Sequence, residues 1–167
     1  MHDDYLLQLP YPKVLGQVTP KEIEKLYDLY AGRFSEFTST TTYIYQAVIS
    51  NCISNLSEIL TKISIAEMHH INLLANALIS FGADPVFAGA HNYFTCNYTN
   101  YSKDVREFLS QDIEWETSAK EEYLEFASKT KNQSLCELLT RIAMDEEMHA
   151  EILKQIYKEI FCESYKD

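Results

Sequence analysis

Four glycines and four prolines in 167 residues leave little material for turns. So thin a supply excludes collagen-like, linker-rich and low-complexity chains and fits a folded helical protein. Cysteine is as sparse: Cys52, Cys96, Cys136 and Cys162 stand far apart, and no two form a Cys-x-x-Cys. That excludes a rubredoxin or zinc-ribbon module and fits ordinary reduced thiols. Basic residues are outnumbered, 14 Lys and Arg against 25 Asp and Glu, for a formal charge of −11. On that balance nucleic acid and an anionic membrane face are excluded as main partners. No apolar run reaches membrane-spanning length. The start, Met1-His2-Asp3-Asp4, lacks the basic-then-apolar order of a signal peptide. The expectation is a cytoplasmic protein.

What the chain has in quantity is apolar side chains, 46% of residues, at helical spacing. Residues 1–18, with Pro10, Pro12 and Gly16, read as an irregular N-terminal arm, and 19–167 as one domain. Thr19-Pro20-Lys21-Glu22 combines an N-cap, a proline at the first helical position and a capping box. From it a first helix is expected to reach about Ile49–Asn51, with Ile23, Leu26, Leu29, Tyr30, Phe34, Phe37, Ile44 and Val48 on its apolar face. Gly32 and Thr38–Thr42 are poor helix formers, so a packed neighbour must hold the middle of this helix.

A turn around Asn51–Ser54 and the capping-box-like Asn55-Leu56-Ser57-Glu58 start a second helix, which Gly82 and Pro85 end. Residues 83–101 show no period and four aromatics, a connection long enough to run the length of a bundle. A third helix spans about Ser102 to Lys129 and a fourth about Leu135 to Phe161, after a tight turn at Thr130–Ser134; Cys162–Asp167 is a short polar tail. The fold expected is all-α: a ferritin-like four-helix bundle of two antiparallel hairpins joined by one long crossover.

Polar residues on the apolar faces carry the chemistry. Glu36 has Tyr43 seven residues on, and Glu116 has Tyr123 at the same offset, so each Tyr stacks almost two turns from its Glu. No other Glu has a Tyr there. Glu67 and His70, like Glu146 and His149, form Glu-x-x-His, which puts both side chains on one helix face. The chain is thus an internal two-fold repeat of Glu…Tyr on one helix and Glu-x-x-His on the next. Four carboxylates and two imidazoles are a hard, mixed O/N set that suits Fe or Mn. Without a cation, four glutamates converging in a helical core would carry a large desolvation cost. His69, about 100° round from a ligand position, reads as surface or interface. Glu114, Glu121, Glu122 and Glu147 read as a solvated face.

By these residues, over roughly 22–160, the chain resembles the ferritin-like di-metal carboxylate superfamily, and within it the rubrerythrin and manganese-catalase-like proteins. Ser35-Glu36 to Tyr43-Ile44-Tyr45-Gln46, Ala66-Glu67-Met68-His69-His70, Phe81-Gly82-Ala83-Asp84-Pro85 and Asp145-Glu146-Glu147-Met148-His149 look like that family's helix segments. The resemblance implies that Glu36, Glu67, His70, Glu116, Glu146 and His149 ligate metal, with Glu67 and Glu146 bridging. It further implies that Tyr43 and Tyr123 hydrogen-bond across to ligand carboxylates and relay or tune protons. Asp145 would orient an imidazole, that of His70. Ala66 stands where the other half has Asp145, so the halves differ. Ala119 stands where rubrerythrins carry an extra glutamate.

Three functions follow as expectations. The first is a di-iron oxidoreductase with two Fe ions that reduces H2O2 or O2 under oxidative stress, using an external electron donor such as a rubredoxin. The second is a di-manganese, catalase-like enzyme with two Mn ions that needs no donor. The third is a non-enzymatic iron-handling bundle. A homodimer is expected, with the aromatic-rich surface of the first two helices as candidate interface.

Overall fold

A computed structural model describes residues 5–53 and 55–162, so the expectations for Met1–Asp4, Ser54 and the tail beyond Cys162 lie outside it. Among the described residues five α-helices follow one another: α1 (Pro20–Ala31), α2 (Glu36–Ile49), α3 (Leu56–Ser80), α4 (Val105–Lys129) and α5 (Gln133–Phe161). The pairs α2–α3 and α4–α5 are the two antiparallel hairpins, and α1 also lies along α3. The rods of the bundle are therefore four, one of them divided between α1 and α2. None of the described helices is long and apolar enough to cross a membrane.

The division corrects the expected continuous first helix. Gly32 is extended, at φ −74° and ψ −168°, and Ser35 is extended again as the N-cap of α2. Ser35 Oγ accepts from the Thr38 amide at 3.2 Å and donates to the Gly32 carbonyl at 2.8 Å; Thr38 Oγ1 donates to that carbonyl at 2.9 Å. Hydroxyls thus take up backbone groups that an unbroken helix would have paired. The face assignment changes with it. Tyr43, Ala47, Glu36, Thr42 and Gln46 point inward, while Phe34, Ile44 and Val48 are exposed. Ile79 on α3 and Leu124 on α4 are also exposed.

Other boundaries move by a turn or less. Asp104 caps α4 through the Glu107 amide, and Asn132 caps α5 through that of Leu135. Asn55 does not cap α3 with its side chain; it sits in the left-handed region at φ 65°. The end of α3 follows expectation. Gly82 has φ 80°, its amide bonds Ile79 O, and the Ala83 amide reaches back to Leu78 O, a glycine-closed helix terminus.

The crossover is ordered, which its lack of period had not indicated. It holds an Ala88–Tyr93 bridge and a 3-10 turn at Cys96–Tyr98, and it docks along α1 and α2. Tyr27 and Tyr30 donate to the carbonyls of Asp84 and Pro85, Thr41 pairs with Thr99 at 2.8 Å, and Thr42 accepts from the Asn100 amide at 3.1 Å. Phe37 packs against Phe87 and Phe94. Here is the neighbour that the threonine-rich stretch required.

The core has two apolar clusters. One gathers Leu26, Leu74, Leu78, Leu135 and Ile142; the other gathers Leu60, Ile63, Phe108, Ile113 and Leu153. Glu36, Glu67, Glu116 and Glu146 belong to neither.

Gly89 lies against the helix break: a Cβ there would come within 2.9 Å of Asp28 Oδ1 and 3.1 Å of Gly32 Cα. Gly89→Ala should lower the unfolding free energy by about 1–3 kcal/mol, the range for overpacking a closed contact. Denaturant melts of the full chain measure this, and an unchanged midpoint would refute the close approach.

Candidate metal centre

Each half of the bundle brings one Glu and one Glu-x-x-His to the same level. Glu36 sits at the first position of α2, Glu67 and His70 on α3, Glu116 on α4, and Glu146 and His149 on α5. All six are at most 4% exposed. Their donor atoms form two groups, Glu36–Glu67–His70–Glu146 and Glu67–Glu116–Glu146–His149, each spanning no more than 4.8 Å. His70 Nδ1 lies 3.0 Å from Glu146 Oε1, 3.4 Å from Glu36 Oε2 and 3.7 Å from Glu67 Oε2. His149 Nδ1 lies 3.0 Å from Glu67 Oε1, 3.6 Å from Glu116 Oε2 and 4.0 Å from Glu146 Oε2.

Buried polar atoms are normally paired. Both carboxylate oxygens of Glu67, Oε1 of Glu146, and Nδ1 of His70 and His149 have no hydrogen-bond partner. They aim at one another around two points, which is the arrangement two cations would complete. This donor set, by number, kind and burial, is that of a dinuclear metal site.

Charge follows the same geometry. Burial, reinforced by the Glu67 charge, pushes the Glu36 carboxyl up to about 8. Burial and three neighbouring carboxylates hold Glu146 well above its ordinary range. Burial would raise Glu67 too, but the close approach of the Glu36 carboxyl and both imidazoles outweighs it and keeps this carboxyl well below. Burial disfavours charge on His70 and His149, yet the carboxylates around them win and raise both. Without metal the cluster holds protons in the place of cations.

The second layer fixes which nitrogen faces inward. His149 Nε2 is 2.8 Å from the Tyr5 carbonyl, which can only accept, so Nε2 carries the proton and Nδ1 is left to bind a cation. His70 Nε2 lies 3.3 Å from Asp145 Oδ2. Asp145 also accepts from Tyr11 OH at 2.5 Å and the Leu7 amide at 2.9 Å, and it pairs with Arg141 Nη1 at 2.6 Å. Burial would raise this carboxyl, but bonds from His70, Arg141 and Tyr11 hold it down to about 2. Tyr43 OH donates to Glu116 Oε1 and Tyr123 OH to Glu36 Oε1, so each tyrosine crosses to the glutamate of the other half. Burial, then nearby carboxylates, raise both phenols well above their usual range.

Sequence reasoning missed several members. Tyr5, Leu7 and Tyr11 belong to the arm, which carries no helical period to place them. Arg141 lies four residues before Asp145, and that spacing on one helix face was a usable signal. Asp112, one turn before Glu116, is fully buried; Gln46 Nε2 donates to its Oδ1 at 3.1 Å, and its Oδ2 is unpartnered. Burial, despite Gln46, pushes the Asp112 carboxyl well above its usual range. His69 stands off the cluster, edge-on to Tyr11 with ring centroids 4.9 Å apart.

A carboxyl lowered on folding contributes stability above its unfolded pKa and loses it as pH falls through the folded one. For Asp145 that window runs from 3.8 down to about 2. Asp145→Asn in metal-free protein should cost about 2 kcal/mol at neutral pH, with the gap to wild type closing across that window. Melts from neutral pH into acid measure it; a gap independent of pH would show that Asp145 is not held ionised.

The rubrerythrin family model matches residues 107–165, which hold Glu116, Glu146 and His149. No curated protein sequence matches the chain. Among solved structures, KatB, a manganese catalase from Anabaena, superposes with a TM-score of 0.82 at 18% identity, over 92% of this chain and 79% of that one. Mycobacterium tuberculosis bacterioferritin BfrA gives 0.71 at 17%, over 87% and 89%. A Desulfovibrio desulfuricans bacterioferritin gives 0.69 at 21%, over 84% and 80%. These likenesses establish the ferritin-like fold. The rubrerythrin match falls on α4 and α5 and takes in Glu116, Glu146 and His149, half of the buried donor set.

Proposed function

We propose that the chain is a non-haem di-iron oxidoreductase that reduces peroxide or O2 with electrons from an external donor such as a rubredoxin. Glu36, Glu67, His70, Glu116, Glu146 and His149 would hold the two ions. One observation carries this reading. Glu67 turns Oε2 toward His70 and Oε1 toward His149, and Glu146 turns Oε1 toward His70 and Oε2 toward His149. Each divides its two oxygens between the halves, as a bridging carboxylate does.

Bound metals would supply Lewis acidity and electron exchange. The chain's own groups do the rest. Asp145 and the Tyr5 carbonyl hold a proton on each outer nitrogen, so Nδ1 is the nitrogen that would give up its proton to a cation. Tyr43 and Tyr123 keep their phenolic protons and hand hydrogen bonds to Glu116 and Glu36. Reduction of H2O2 to two waters consumes two electrons and two protons, and these tyrosines are the nearest buried hydroxyl donors to the cluster. The exposed Ile44 and Val48 on α2 and Ile65 and Met68 on α3 form the face we assign to a second copy in a homodimer.

A second reading, di-manganese disproportionation of peroxide, draws support from the likeness to the Anabaena manganese catalase over nearly the whole chain. Metal content and gas evolution separate the two. Wild type should bind two ions per chain, and Glu67→Ala fewer than one, because Glu67 serves both groups. Reductant-dependent peroxide turnover should disappear in Glu36→Ala and fall by about 10–100-fold in Tyr123→Phe. Oxygen release without reductant from manganese-loaded protein would shift the assignment to the second reading. Turnover unchanged in Glu36→Ala would refute both.

A further inference from the structure

The broken helix opens a cavity of about 320 Å³ between the start of α2 and the middle of α4. Its walls include Phe34, Ser39, Trp115 and Ala119, and its floor is Glu36, Tyr123 and Glu146. Most of that lining is apolar. Phe34 is 61% exposed and meets Trp115 edge to face, with ring centroids 6.1 Å apart.

The volume is the first argument. An apolar cavity of about 150 Å³ takes up benzene, so this one is far larger than peroxide or O2 requires. It falls within the range of small-molecule sites, which pair apolar walls with a few converging polar groups. Charge is the second argument. The lining holds no Lys, Arg or His, so nothing in it would pair with an anion. The one lining carboxylate outside the floor, Glu122, is already paired with Lys25, and most of the remaining surface is apolar, which gives a hydrated cation little to replace its water. A neutral molecule remains. Shape is the third argument. Phe34 and Trp115 at the wall and Tyr123 at the floor offer faces and edges to an aromatic ring. The floor, with two carboxyls and a phenol, is the cavity's most polar part. There Tyr123 donates to Glu36 Oε1 and Oε2 faces His70, so a ligand hydroxyl would approach the cavity side of the Glu36–Tyr123 pair. Space for the ring comes from Ser39 and Ala119, whose side chains stop short of the cavity centre.

We propose that this cavity binds a small neutral phenol, its ring against Phe34 and Trp115 and its hydroxyl toward Glu36. The inference deepens the di-metal reading, because Glu36 serves both sites.

Trp115 is the single tryptophan of the chain and lines the cavity, so its fluorescence reports occupancy. Phenol is titrated into the full-length protein, metal-free and metal-loaded, with excitation at the red edge where phenol is transparent. Saturable quenching in the millimolar range or below is expected, as suits a ligand of few heavy atoms. Ala119→Phe and Ser39→Leu, which fill the cavity from opposite sides, should each raise the half-saturation concentration at least about tenfold with helix content unchanged. Quenching that stays linear in phenol, or a half-point unmoved in both variants, overturns the proposal. Metal content measured on the same samples keeps the readings apart. Two ions per chain without phenol saturation sinks this inference alone. Phenol saturation in protein that cannot be loaded supports it and sinks the di-metal reading.

Discussion

Four carboxylates brought into a dry helical interior set the terms for the rest of this molecule. An ionised carboxylate transferred without compensation from water into such a medium costs more than a domain of this size can lose, so groups there shift their pKa, pair or bind cations. The first two responses are visible, and the geometry leaves room for the third. Glu36 and Glu146 are driven toward the protonated form, while Glu67 stays ionised among its neighbours. Phenols on α2 and α4 each hand a hydrogen bond to the glutamate on the other helix. The remaining bare atoms converge on two points where cations would sit. Apolar clusters in the same bundle keep these carboxyls almost wholly from solvent, so the interactions among them act in a low dielectric.

The two-fold repeat is exact in ligand type and inexact in support. His70 is backed by a carboxylate that Arg141, Tyr11 and the Leu7 amide hold in place, and His149 by one neutral carbonyl. An imidazole hydrogen-bonded to an anion is the more basic, so the two imidazoles would differ in donor strength toward a cation although the residue types match. The difference comes from the arm. Its residues 5–11 supply the Tyr5 carbonyl, the Leu7 amide and the Tyr11 hydroxyl, and Arg141 is tied back to the arm through the Leu7 carbonyl at 2.6 Å. A segment without regular structure thus sets the hydrogen bonding behind both imidazoles of a cluster built wholly on helices.

Much of this was legible beforehand, because helical period and helix caps are local signals. Thr19-Pro20-Lys21-Glu22 starts a helix for reasons contained within four residues, and the capping box is present. The Glu…Tyr and Glu-x-x-His offsets place side chains on one face whatever the tertiary structure, so the six central residues could be named. What escaped depends on contacts between distant segments. Nothing within Leu6–Tyr11 announces that its amides, carbonyls and phenol meet α5. The apolar Phe34, Ile44 and Val48 drew the first helix round to the wrong face, since hydrophobicity was read as burial. The inward face of α2 is instead mostly threonine, glutamate, tyrosine and glutamine, because this helix lines a polar site and carries the crossover on its flank.

The break at Gly32–Ser35 ties these features together. A continuous helix would have satisfied more of its own backbone, so the interruption must be held by something outside it. Ser35 and Thr38 take up the freed groups, and the crossover presses Gly89 against Gly32, a contact that leaves no room for a side chain at residue 89. Three consequences follow from that one local choice. Glu36 becomes the first residue of a helix, where the positive end of the backbone dipole favours a carboxylate against the opposing effect of burial. The chain ahead of Glu36 swings outward with Phe34 on the surface, and the space it vacates beside Ala119 is the cavity that reaches the site. The long crossover, which looks from its sequence like a passive connection between hairpins, becomes the wedge that keeps this entrance in place. A site sealed on its other sides by packed helices is open where the helix stops.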